Sequence, residues 1–217
     1  MRTRSMFSLA ALAAGILATL ASGRADAELQ STAHDFSSVA PDGQGCPACH
    51  APHAAKTTEL AWNNTLSRAS FGWSDASQTS GGTRLPTNIR TWSGSTKVCL
   101  SCHDGSVDTR SFASAKPTAH LVSLGHDLKG SHPVAIPYPY NGTKNTYNGI
   151  TTGEGTLKSG WVPAPAGVKL YSDPAGSAPN NRGLECASCH DPHGSPYGKF
   201  LRVSNIRGAL CLQCHVK

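Results

Sequence analysis

Methionine is nearly missing from this chain. Met1 and Met6 are the only two among 217 residues, and both lie in the N-terminal segment. The rest therefore offers no methionine thioether as a metal ligand. Aromatic residues make up only 6% and hydrophobic residues 38%, against 22 glycines and 14 prolines. Such a chain buries a poor core alone, and loop-rich exported chains of this kind need disulfides or cofactors to hold them. No run of Lys or Arg occurs, which leaves the formal charge of +6 without the basic patch that nucleic-acid binding uses. No long stripe at the 3.6-residue helical period is present. Beyond the N-terminal segment no stretch is long and apolar enough to cross a bilayer.

That N-terminal segment reads as a secretory signal. Arg2 and Arg4 precede an apolar run from Met6 to Leu20, and Ala25-Asp26-Ala27 has the small-x-small pattern of a signal peptidase site. Residues 1–27 are expected to be the signal peptide and residues 28–217 the mature domain. Ala21 to Gly23 is a competing cleavage region. Cleavage takes three of 19 basic and one of 13 acidic residues, leaving 16 against 12. No Cys lies near the cleavage site to carry a lipid.

What is present is cysteine, in one arrangement. All eight fall in four copies of Cys-x-x-Cys-His. The copies are Cys46, Cys49 and His50; Cys99, Cys102 and His103; Cys186, Cys189 and His190; and Cys211, Cys214 and His215. This is the attachment signature of c-type haem. Two thiols three positions apart on a helical turn reach the two vinyl groups on one porphyrin edge and form thioethers. The next residue, His, is then held beneath the iron as proximal ligand. Disulfides, redox dithiols and zinc knuckles are the competing uses of such cysteines. None of them requires His after every second Cys, four times in four. The expected cofactors are four c-type haems.

The sixth ligand of such irons is usually Met or His, and Met is excluded. Six histidines remain for four irons: His34, His53, His120, His126, His132 and His193. Ligation by His on both sides closes the iron to substrate. His53 and His193 each follow a proximal His by three residues, in His50-Ala-Pro-His53 and His190-Asp-Pro-His193. Side chains at i and i+3 share a face, so they cannot grip one porphyrin from both sides. If His53 and His193 bind iron, each serves a neighbour's haem. His120, His126 and His132 fall in one segment and are not ranked by spacing. His34 sits near the mature N-terminus, where disorder is common, with Phe36 beside it as a possible anchor for the arm.

The motifs form two similar halves, 46–103 and 186–215, each a candidate two-haem unit, joined by a Cys-free segment 104–185. Ser131 to Tyr140 is Pro-rich and reads as extended. Tyr138, Tyr140, Tyr147 and Trp161 among Gly, Asn and Pro suggest turns and short hairpins. Gly167 to Tyr171 reads as a strand entering a turn at Ser172. These aromatics, with Trp62, Trp73 and Trp92, are expected to pack on haem faces. Fold class follows: a multihaem cytochrome c with little regular secondary structure, short helices at the motifs, and loops and short hairpins around a haem core.

These stretches resemble the doubled-CXXCH multihaem cytochromes. The likeness rests on Cys46-Pro-Ala-Cys49-His50-Ala-Pro-His53, Cys99-Leu-Ser-Cys102-His103-Asp104-Gly105, Gly125-His126-Asp127-Leu128 to His132-Pro133, and Cys186-Ala-Ser-Cys189-His190-Asp191-Pro192-His193-Gly194. It is strongest to the tetrahaem outer-surface cytochromes of metal-reducing bacteria, some of which polymerise into filaments. The resemblance implies His34, His53, His132 and His193 as distal ligands, with His126 and His120 in reserve. In polymerising relatives an axial His can come from the next subunit, which makes His34 the candidate for that role. The expected function is electron transfer in periplasmic or extracellular respiration, with redox proteins or other cytochromes as partners. The expected location is the periplasm or outer surface. The competing reading is a multihaem reductase with one open haem, for which no substrate-binding constellation is found.

Overall fold

In the computed structural model, the residues described are 29–30, 32–38, 45–51, 53, 61–73, 85, 92–106, 122–139, 145–152, 160–173 and 182–217. Regular structure among them is sparse. The longest element is α1, Ser95–His103, and a second short helix, α2, spans Cys186–Cys189. Single 3-10 turns cover Cys46–Ala48 and Cys211–Gln213. Every Cys-x-x-Cys-His motif thus sits on a helical turn. In three of them the His backbone N–H donates to the first Cys carbonyl, at 2.8 Å for His50, 3.1 Å for His190 and 2.9 Å for His215. This turn brings the two thiols to one side.

The strands are β1 (Ile136–Pro137), β2 (Thr146–Tyr147), β3 (Ile150–Thr151), β4 (Tyr171–Ser172) and β5 (Arg182–Leu184). β5 lies between β1 and β4, antiparallel to both, with Ile136 opposite Leu184 and Tyr171 opposite Gly183. β2 and β3 form a hairpin closed by Asn148-Gly149, with φ of 49° and 75°. That is the two-residue turn an Asn-Gly pair favours. The strand expected over Gly167 to Tyr171 is shorter and later: only Tyr171 of that stretch is in β4, which runs on into Ser172. Ladder bonds to β5 decide the strand's extent here, not the local apolar pattern.

Two apolar clusters hold these pieces. One joins Phe71, Trp73, Leu85, Trp92, Leu100, Leu128, Ala135 and Ile136. The other joins Tyr138, Val168, Leu184 and Cys214. Trp73 and Trp92 pack against one another at 6.0 Å, and Trp92 stacks on Phe71. That part of the interior is made of protein side chains. Buried Asn145 joins the hairpin to the sheet: its Nδ2 donates to the carbonyls of Tyr138 (2.7 Å) and Arg182 (2.6 Å).

Gly183, at the centre of β5, lies directly under the Tyr147 ring, where an added Cβ would collide with three ring atoms. Tyr147 is fully buried, so the ring has nowhere to move. Gly183→Ala is expected to destabilise the fold by about 1–3 kcal/mol, read as a lowered urea midpoint.

Candidate haem-iron centres

Straps from elsewhere in the chain fix three of the motif turns. For the first motif, the Asn63 backbone N–H donates to Cys49 O, and the Asn63 and Asn64 side-chain amides donate to Pro47 O and Ala48 O. For the third, Arg202 donates from its backbone to Cys189 O and from Nε to Ala187 O. For the fourth, the Val162 N–H donates to Cys214 O, and the Tyr138 hydroxyl donates to Val162 O at 2.6 Å. Trp62 and Trp161 lie in the first and last straps, each bridged by backbone to the motif His. Their rings pack on His50 at 6.0 Å and on His215 at 4.4 Å. These two indoles therefore brace the imidazoles of the first and fourth motifs.

None of the eight cysteines is in a disulfide. Burial raises the Cys49 thiol to about 11, with Cys102 and Cys46 adding to the rise. Burial likewise raises Cys189 to about 11, with Cys214 and Cys186 adding. Cys99 is raised by its hydrogen bond to Cys186 and by burial. Neighbouring sulfurs thus link the first motif to the second, the second to the third, and the third to the fourth. These surroundings favour an uncharged sulfur, which is what a thioether is.

The imidazoles meet in twos. His50 faces His193 at 6.1 Å between ring centres, His103 faces His34 at 6.2 Å, and His215 faces His132 at 6.4 Å. Each pair combines one motif His with one of the four distal candidates. A metal–nitrogen bond of about 2 Å on each side, with roughly 1.1 Å from nitrogen to ring centre, adds up to about 6.2 Å. The three separations therefore fit one iron between two imidazoles. Among the described residues no group of three or more His, Cys, Asp or Glu side chains converges as a bare-metal site.

Backbone carbonyls orient the rings. Nδ1 of His103 donates to Val122 O (2.9 Å), of His190 to Lys199 O (2.8 Å), of His132 to Pro133 O (3.0 Å) and of His34 to Pro192 O (3.2 Å). A carbonyl accepts only from a protonated Nδ1, so Nε2 is left with its lone pair available to a metal. His193 Nδ1 lies 3.4 Å from the Asp191 carboxylate, which Arg202 also holds at 2.8 Å. Burial lowers the His34 pKa, with His103 and His193 adding to the fall. Burial and His132 lower that of His215. Both rings are kept in the neutral form that binds metal.

His34 lies within its own chain's fold, stacked on Phe200 at 4.6 Å and on Phe36 at 6.4 Å. His193 stands opposite His50, across the two halves. His190 has no second imidazole opposite it among the described residues, and His53 is exposed. His126 packs edge-on against Phe71 at 5.5 Å. His120, Tyr140 and the expected signal peptide 1–27 lie outside the described residues. Phe200, Asp191 and the orienting carbonyls were not legible as site residues, because their roles depend on contacts distant in sequence.

The family described as the doubled CXXCH motif matches residues 178–217. C-type cytochrome OmcS of Geobacter sulfurreducens is 29% identical over 168 residues, covering 72% of this chain. The chain resembles the multihaem c-type cytochromes. It spans about a third (34%) of the length of that curated relative. The doubled motif and this likeness support binding of haem c. Among the described residues no helix is long and apolar enough to cross a membrane.

The lowered His34 pKa sets a pH dependence. The folded state binds fewer protons there than the unfolded state, so stability rises with pH and weakens as pH falls below the ordinary value of 6.5. Urea midpoints measured from pH 7 to pH 5 should fall, and His34→Gln should flatten part of that slope.

Proposed function

We propose that this chain is an electron carrier holding four covalent c-type haems, each iron gripped by two histidines. The observation that carries the reading is the set of three imidazole pairs at 6.1–6.4 Å, each joining a motif His to another His. When bound, each haem would take up and release one electron at its iron. The protein's part is to bind, orient and shield. Cys46 and Cys49, Cys99 and Cys102, Cys186 and Cys189, and Cys211 and Cys214 supply the thioethers. His50, His103, His190 and His215 supply the proximal nitrogens. His193, His34 and His132 supply the distal nitrogens for the first, second and fourth motifs. The i, i+3 relation that sets His193 opposite His50 assigns His53, by the same spacing, to the His190 iron.

Rigid imidazole ligation on both sides suits electron transfer, because the ligand set stays the same in both oxidation states. The expected setting is respiration in the periplasm or outside the cell, with other redox proteins as partners. Assembly of copies into a filament belongs to the same proposal, and electron microscopy of the secreted fraction tests it. Ordered fibres support assembly, and single particles at high concentration oppose it.

The competing reductase reading needs one open iron, and His190 is where it would lie. Carbon monoxide added to the reduced protein separates the two. A carrier leaves the spectrum unchanged, and an open iron gives a shifted absorption band.

The mass of the exported product should exceed that of the polypeptide by four haems. His132→Ala should leave that mass gain intact and turn one haem high-spin, visible in the optical spectrum. A product weighing no more than the bare chain would end the proposal.

A further inference from the structure

One buried carboxylate has no part in iron ligation. Glu185 is fully buried at the junction of α1 and α2, directly before the third motif. Its Oε2 accepts from the Thr96 N–H at 2.7 Å, and its Oε1 accepts from the Tyr147 hydroxyl at 2.6 Å. The Ser188 N–H also donates to this carboxylate, and the Ser188 hydroxyl accepts from the Glu185 N–H. Gly94, with φ of 93°, passes so close that a Cβ there would lie 2.5 Å from Oε1. The Thr96 hydroxyl accepts from the Cys186 N–H at 3.1 Å, closing the node onto the third motif.

Three hydrogen bonds received by one carboxylate favour its charged form. The charge lies where two attachment points meet. Cys99 of the second motif and Cys186 of the third lie side by side, and both feel the Glu185 charge. Tyr147 is held far above its ordinary pKa by burial, with the Glu185 charge adding to it, so its hydroxyl stays a donor. Desolvated charges act strongly over short distances. An electron added to a haem held at these cysteines would enter a region that the Glu185 carboxylate already makes negative.

We infer that Glu185 is a potential-setting residue, a fixed negative charge that lowers the reduction potential of the two haems anchored at Cys99 and Cys186. The inference rests on the four-haem reading above. Glu185 touches no iron ligand and acts through space, so it is a positioning residue for charge. Its effect is confined to one pair of haems, which makes those two harder to reduce than they would be beside a neutral side chain.

The test is a spectroelectrochemical titration of the full haem-loaded protein and two variants. Glu185→Gln keeps the shape and removes the charge. Two of the four potentials should rise, and the other two should stay in place. Tyr147→Phe keeps the charge and removes one donor that disperses it. The same two potentials should fall. Opposite signs at one node are not produced by simple loosening of the fold. If the potentials stay put in both variants, or if all four move together, the role of Glu185 is overturned. Haem content by mass is measured on the same samples. Haem missing from the second and third motifs of the unaltered protein would overturn the underlying reading instead.

Discussion

Facing imidazoles organise this molecule. His50 and His193, His103 and His34, and His215 and His132 come from segments far apart in sequence, yet each pair is held 6.1–6.4 Å apart. A chain with 38% hydrophobic and 6% aromatic residues has little apolar surface with which to specify such long-range meetings. In the proposed ligation a metal gripped from both sides would turn each meeting into a strong crosslink, and binding energy of that kind is folding energy. The rest of the architecture follows: short helical turns to present the ligands, straps to fix the turns, and carbonyls to aim the rings.

The clamp between the second and third motifs is of another kind. Glu185 joins α1, α2 and the β2–β3 hairpin by hydrogen bonds to Thr96, Ser188 and Tyr147. Its carboxylate fixes where Cys99 and Cys186 meet and leaves a charge beside them. Sulfur neighbours then run through the motifs in chain order, from Cys49 and Cys102, through Cys99 and Cys186, to Cys189 and Cys214. Cys99 and Cys186 carry that row across from one half to the other.

Much of this was legible in the sequence because the chemistry is local. A Cys-x-x-Cys-His run specifies its own turn, and all four copies lie on helical turns. The spare histidines could be counted, and the i, i+3 spacing already kept His193 from pairing with His190; it lies opposite His50. The Gly, Asn and Pro around Tyr147 suggested turns and short hairpins, and the β2–β3 hairpin lies there. What spacing could not supply was partnership. Nothing in Asn145-Thr146-Tyr147 says that the Tyr147 ring covers Gly183 and reaches Glu185. Trp73 and Trp92 read as haem-facing residues but pack with Phe71, since side chains of one type serve either interior. Glu185 did leave a signal: an N-cap acid three residues before Ser188 reverses the usual order of a capping box.

Electron paramagnetic resonance of the oxidised, purified protein tests the central claim most directly, because it reads the ligands of each iron. The account predicts only low-spin signals from iron held between two imidazoles, integrating to four irons per chain. A high-spin signal of one iron or more per chain in the unaltered protein would contradict it.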